Sequence, residues 1–379
     1  MPNITVIIHT PQELNHSSYI QTGLFELERM GLIKVEVQIS TRKNRGMLTV
    51  GENGSVTKSL RPFPKASFYT LVDDATGKKI TFATDLYDFA EHFSEAALKN
   101  CDFYFKRNYE NRFVEAFNLK YNKTIVPLGL TFRVQSAIGN TKRNKLHKGV
   151  IFSNLALNIK FDRLLFRRLK AYYNYISNHI KKSEENRNIE RFEKFEKNIG
   201  SNDSILFQTR CFLHENNKDV KEIHQQRYHI IKLLRQNFPD KFLGGFIPSK
   251  VADERYGDAL TNVPTAPEEY LDAMKKTKIV IYTRGLANSP AWKMAEYLSQ
   301  GKVIIAERLT AELPVPLTDG KELLYFDSDE ELLGKIKLVS EDTLLATSLS
   351  VNARAYFEKH VHPVQNVKRI LEIMLNKAI

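Results

Sequence analysis

The segment from Lys278 to Glu307 constrains the fold of this 379-residue chain more than any other, because it is written as strand, polar loop, helix and strand. Ile279 to Tyr282 is a short run rich in β-branched residues, as a strand buried on both faces requires, and Val303 to Ala306 repeats it one helix later. A βαβ unit on a parallel sheet follows. Between the strands, Ser289 suits the helix N-cap, Pro290 the first helical position and Gly301 the position just past the helix end. At about 100° per residue, Ala291, Met294, Ala295 and Leu298 share one stripe, and Ser289, Lys293 and Glu296 share the opposite side. One face packs and the other is free to bind. Free N–H groups at the helix start suit a diphosphate, together with the loop through Arg284, Gly285, Asn288 and Ser289 and with Lys293 one turn in. Glu296 is placed to accept hydrogen bonds from ribose hydroxyls. The plain alternative is an i, i+3 ion pair of Lys293 and Glu296 on a solvated face, worth a few tenths of a kcal/mol.

The next stretch shifts the balance. Glu312 to Leu317 (ELPVPL) and Asp319 to Phe326 (DGKELLYF) lead into the acidic helix start Asp327 to Glu331. In this order, with Glu296 and Gly301-Lys302-Val303-Ile304-Ile305 before it, the chain resembles the carboxy-terminal domain of GT-B glycosyltransferases over roughly residues 200 to 360. Retaining members often carry two Glu with seven residues between them, and Asn288 stands where the first would be. The run from Ser289 to Glu296 is closer to exostosin-like and spore-coat-type members, with Lys293 in place of their Arg.

The resemblance implies an α/β protein of two Rossmann-like domains with an interdomain cleft. Residues 1–140 form the acceptor-side domain, 141–200 a basic helical interdomain region and 201–360 the nucleotide-sugar domain. The tail 361–379, helical from Pro363 to Leu375, crosses back to the first domain. It also implies transfer of a sugar from a nucleotide-sugar donor to a polysaccharide or lipid-linked glycan, with no metal or other cofactor. Helix N-termini and the cations Arg210, Arg284 and Lys293 would neutralise the leaving diphosphate. A GT-B-like epimerase and a non-catalytic glycan- or partner-binding protein are the rival readings.

Composition bounds the setting. The two cysteines, Cys101 and Cys211, are far apart and belong to no metal-spaced cluster, so ordinary thiols in a reducing compartment are expected. The opening MPNITVIIHT reads as a strand without a basic leader, and no apolar run approaches about 18 residues, so the expectation is a cytoplasmic protein. The net charge of +12 is concentrated: Thr141 to Lys182 holds eleven Lys and Arg against one acidic residue, Asp162. Its stretch Phe161 to Ile180 reads as a basic, aromatic-rich amphipathic helix that suits an anionic membrane surface on the inner face. A wet interdomain helix is the bland alternative, and no nucleic-acid module accompanies the charge.

The amino-terminal half reads as another strand and helix alternation. Ile4 to His9 is a first strand, with Pro11, Asn15, His16 and Ser17 at its carboxyl end, where open α/β sheets bind ligands. Asp73-Asp74-Ala-Thr-Gly77 signals a hairpin turn between Ser67–Val72 and Lys79–Phe82. An inverting transferase needs a base for the acceptor hydroxyl, and His16, Asp74 and Asp85 are the candidates carried forward, with His9, Asp73 and Asp88 beside them. There is no Gly-x-Ser-x-Gly elbow and no phosphate loop ending in Gly-Lys-Ser/Thr, which excludes the common hydrolase and kinase patterns, and the Asp327-Ser328-Asp329 pattern falls in the acidic helix start.

Overall fold

The computed structural model describes residues 3–379 except 14–15, 41–45, 60–64, 122, 137–139, 158, 160, 185–186, 196–202 and 214–216. Asn15 therefore lies outside the described residues. The chain divides into two compact units, Met1–Glu190 with Ala311–Pro314 and Val361–Ile379, and Arg191–Thr310 with Val315–His360.

The first unit runs β1 (Ile4–His9), α1 (Ser18–Arg29), β2 (Lys34–Gln38), β3 (Met47–Val50), β4 (Val56–Lys58), β5 (Ala66–Asp73), β6 (Lys79–Asp85) and β7 (His92–Ser94). It continues with α2 (Glu95–Asn100), β8 (Phe103–Lys106), α3 (Asn111–Tyr121), β9 (Thr124–Pro127), α4 (Asn140–Leu157), α5 (Leu165–Glu184) and α6 (Ile189–Glu193), whose last residues pass into the second unit. Six described strands form a sheet in the order β2-β1-β5-β6-β8-β9, and β4-β3-β7 form a small one beside it. Strand β5 is antiparallel to both neighbours, while β1, β2, β6, β8 and β9 run one way. The expected hairpin at Asp73–Gly77 thus sits inside the sheet, which is mixed rather than wholly parallel. His9, Asp85, Lys106 and Pro127 end their strands on one edge, and Asp73 lies at the other, opposite Ile4.

Helix α4 packs against β2, and α5 against α4. The Thr10 and Ser153 hydroxyls meet at 2.6 Å within the interior, and Lys142 pairs with Glu28. The basic segment expected to stand between the domains is part of the first unit as far as Glu190.

The second unit runs β10 (Ile205–Thr209), α7 (Lys218–Asn237), β11 (Phe242–Phe246), α8 (Lys250–Tyr256), α9 (Pro267–Lys276), β12 (Ile279–Tyr282), α10 (Trp292–Ser299), β13 (Val303–Ala306), β14 (Leu324–Tyr325), α11 (Asp329–Glu341) and α12 (Thr343–Tyr356). Its described strands are all parallel, in the order β11-β10-β12-β13-β14. The strands are apolar on both faces because helices cover both, and Ile205, Phe207, Ile279, Ile281, Val303 and Ile305 belong to one buried core with residues of α7, α11 and α12. Counting within the unit the order is 2-1-3-4-5, so the chain reverses its direction of growth between β10 and β12. At such a switch point the loops after two neighbouring strands diverge and leave a crevice at their carboxyl ends.

The last helix, α13 (Pro363–Leu375), returns to the first unit and packs on α1. Among the described residues, no helix is long and apolar enough to cross a membrane.

Candidate functional site

Strand β12 ends at Tyr282 and the chain does not enter α10 at once. Ala287 and Asn288 take left-handed backbone angles with φ of 52° and 56°, conformations that side chains other than glycine adopt only when their surroundings hold them. Asp219, in the first turn of α7, does the holding: its carboxylate accepts from the Ala287 N–H at 2.8 Å and from Arg284 Nη1 at 2.5 Å. The Gly285 N–H donates to the Ser289 carbonyl at 2.9 Å, and a Cβ on Gly285 would press on that same residue. Ser289 and Ala291 are extended, and the Ala291 N–H donates to the Tyr282 hydroxyl at 2.8 Å.

The helix consequently begins at Trp292, with Ala291 at the N-cap. Ser289 is buried in the loop rather than capping, and Pro290 lies before the helix rather than in its first turn. Gly301, just past the helix, has φ of 51°, as its expected place requires.

Met294, Ala295 and Leu298 are fully buried, so the apolar stripe of α10 packs. The other side is not a solvated face either. Glu296 is only 9% exposed, and Lys293 Nζ donates to the Tyr270 hydroxyl of α9 at 2.5 Å while lying 3.9 Å from that ring's centre. The Tyr270 and Tyr297 hydroxyls approach to 3.5 Å. Burial pushes both phenols above their ordinary range, and the charge of Glu296 pushes further in the same direction. Glu296, Lys293 and two tyrosines form one polar cluster inside the unit.

Arg284 departs from its expected role. Its guanidinium meets Asp219 at 2.5 Å and lies 3.9 Å from both Glu222 and Glu307, and Glu307 also accepts its backbone N–H at 2.8 Å. With three carboxylates around it, its charge braces the loop and is not available to a diphosphate. Arg210, just past β10, is exposed and pairs with no carboxylate among the described residues; its guanidinium lies 5.5 Å from the Phe212 ring centre.

In the first unit the candidates separate. Asp85 is 1% exposed and accepts from the Tyr104 hydroxyl at 2.6 Å, Lys106 Nζ at 3.1 Å and the Tyr87 N–H at 3.0 Å. Lys106 is as deeply buried and also donates to the His92 carbonyl at 2.6 Å. Asp85 is thus half of a buried ion pair, out of reach of an acceptor hydroxyl. Asp74 sits at the hairpin turn, where Thr5 Oγ1 donates to it at 2.8 Å, on the sheet edge opposite His16 and Asp85. The structure does not bring it to the others.

His16 does lie at the carboxyl edge, its N–H donating to Glu13 at 2.6 Å. Near it is Asp88, which accepts from Lys65 and Arg107, each at 2.6 Å. Burial alone would raise the Asp88 carboxyl, but Arg107, Lys65 and His16 outweigh it and hold the group below the usual carboxylate range. Among the described residues, no group of three or more His, Cys, Asp or Glu side chains is placed to hold a metal ion.

Residues 227–372 match the family described as "Glycosyl transferase-like". The matched stretch is 146 of the chain's 379 residues, all in its carboxy-terminal part. No curated protein matches it. Among solved structures, the chain is similar at 15% identity to the C-terminal domain of the glycosyl transferase group 1 family protein LpcC from Francisella tularensis, over 41% of this chain and 84% of that one, with a TM-score of 0.29. HepE from Anabaena in complex with UDP-glucose matches at 12% identity over 74% and 80%, with a TM-score of 0.35. The pneumococcal O-GlcNAc transferase GtfA in complex with UDP and GlcNAc matches at 10% identity over 93% of this chain and 54% of that one, with a TM-score of 0.38.

Several residues that shape the second-unit site escape a reading of local motifs. Asp219 lies on α7 and Tyr270 on α9, outside the segment from Lys278 to Glu307, and no spacing announces them; Glu307, just past β13, is drawn in by its bonds to Arg284. Arg227 has a signal: it falls on the stripe Val220, Ile223, Ile230, Ile231 and Leu234 of α7, all buried, where a cation is out of place.

Proposed function

We propose that the protein is a nucleotide-sugar-dependent glycosyltransferase whose second unit binds the donor at the carboxyl ends of β10 and β12. The observation that carries this is Glu296: a carboxylate buried beside tyrosine hydroxyls on the side of α10 that carries Lys293, within the family-matched region, where an ion pair on a wet helix surface would be exposed. In this reading Glu296 accepts from the ribose hydroxyls. Arg210 and Lys293 face the diphosphate, and the backbone of Gly285, Asn288 and Ser289 lines the loop beside it. His16, with Asp88 near it, is the base offered to an acceptor hydroxyl.

The acceptor is a glycan or lipid-linked glycan handled at an anionic membrane surface. Supporting this is α5 with the turn before it, where Phe161 is 93% and Phe166 85% exposed among Arg163, Arg167 and Lys170. Both cysteines are buried free thiols, in keeping with work on the reducing side of that membrane.

Thermal unfolding with a panel of nucleoside diphosphates and nucleotide sugars tests the donor site. A ligand at 100 times its dissociation constant adds about 2.7 kcal/mol of stability, which is readily seen as a raised transition temperature. No shift with any nucleotide overturns the reading.

A further inference from the structure

Arg227 is the unexplained charge of the second unit. It lies in the middle of α7, is 5% exposed, and has no carboxylate within ion-pair distance among the described residues. A leucine would fill the same stripe at far lower desolvation cost, since a buried cation without a counter-ion is among the most expensive groups a core can hold. Burial, and after it the charge of Arg210, draws its pKa down to about 10, so it remains a cation at neutral pH.

Its donors go to two places. Nη1 donates to the carbonyl of Arg210 at 2.9 Å, and Nη2 to the carbonyl of Arg284 at 3.1 Å, while Nε has no hydrogen-bond partner. The first carbonyl is the residue after β10, and the second lies two residues after β12. These are the two neighbouring strands between which the sheet changes direction. One planar guanidinium therefore spans the switch point and fixes the separation of the two loops that carry the donor-binding groups. Its position is set in turn by the Phe212 ring, 5.2 Å away and shared with Arg210.

We infer that Arg227 is a positioning residue of the donor site: it holds the post-β10 and post-β12 loops at the spacing a nucleoside diphosphate needs, and adds an uncompensated positive charge beneath the diphosphate. The inference rests on the donor-site reading above. Lysine keeps the charge, but a single ammonium lacks the rigid fork that bridges two carbonyls, so Arg227→Lys is the informative variant.

The test is calorimetric titration of UDP, GDP, ADP and dTDP into wild type, Arg227→Lys, Arg227→Met and Arg235→Lys. Arg235 is the control, because it lies on the same helix and also donates to carbonyls, those of Asp258 and Leu260, away from the loops. The expected result is one nucleotide bound by wild type and weakened between about tenfold and a hundredfold in Arg227→Lys, the range that a misplacement of about 1 Å costs a held geometry. Arg227→Met should be weaker still, and Arg235→Lys unchanged in affinity whatever it does to the transition temperature. If Arg227→Met does not fold, Arg227→Lys decides alone. Wild-type affinity in folded Arg227→Lys overturns the positioning role and leaves the donor site standing. Absence of binding by wild type overturns the donor site and this inference with it.

Discussion

Glu296 holds its place against the ordinary preference of carboxylates for water. At 9% exposure it forgoes most of its hydration, beside the buried Tyr270 and Tyr297, whose phenols its charge pushes up. A residue kept for stability alone would be better as Gln or Leu at this position. Glu296→Gln is therefore expected to fold with an unchanged or slightly raised transition temperature, yet to lose nucleotide affinity. Charge-assisted hydrogen bonds to ribose are worth about 1.5–3 kcal/mol, or about 10- to 150-fold in binding. Equal affinity by titration, in a variant whose stability is also equal, would remove Glu296 from the site. At this scale helical spacing puts Glu296 and Lys293 on one side of α10, and the fold gathers them with Tyr270 and Tyr297. The bracing of Arg284 is something spacing cannot reveal: its partners Asp219 and Glu307 lie on other elements, and only the fold brings the three together.

Among the elements, the βαβ unit from 278 to 307 was the most legible. Its strands occur at Ile279–Tyr282 and Val303–Ala306, as their apolar runs require. The helix start was not legible, because Ser289-Pro290 carries a good local cap signal that tertiary bonds from Asp219 and Tyr282 override. Helix α5 shows the converse. An amphipathic helix standing between domains would bury its apolar side, but Leu164, just before α5, and Phe166, Tyr172, Tyr173 and Tyr175 on it are exposed. A helix with only its charged side wet would have buried them. Apolar tips among cations fit the boundary of an anionic bilayer, where each Lys or Arg near the surface gains about 1 kcal/mol. Sedimentation with vesicles containing anionic lipid should carry the protein down. Binding should weaken as salt rises, and also in a Phe161→Ser/Phe166→Ser variant of unchanged charge. Equal binding to neutral vesicles, or indifference to both substitutions, counts against lipid; salt-sensitive binding to RNA without lipid binding would reassign the surface.

The first unit is closed by the last helix of the chain. Pro363, Val364, Val367, Ile370, Leu371 and Met374 of α13 are buried, and Asn366 reaches the Leu128 carbonyl at 2.9 Å and the Tyr19 hydroxyl at 3.2 Å. Tyr19 in turn donates to the Val361 carbonyl at 2.5 Å, so α1, the end of β9 and the returning chain share one polar knot inside an apolar contact. Periodicity makes α13 a helix; where it docks is a pairing of residues some 340 positions apart that no local pattern encodes, and the resemblance to GT-B proteins supplied the expectation. Gly23 tests the contact by the sign of one substitution. Replacing a helical glycine with alanine ordinarily stabilises by about 0.5–1 kcal/mol, and Gly334, in α11 with nothing near the place a Cβ would take, should behave so. At Gly23 the added carbon would collide with the Pro363 carbonyl and the Val367 side chain, and overpacking costs about 1–3 kcal/mol. Thermal unfolding should therefore show Gly23→Ala lowering the transition temperature and Gly334→Ala raising it. A rise in both would mean that α13 does not rest on α1 in solution.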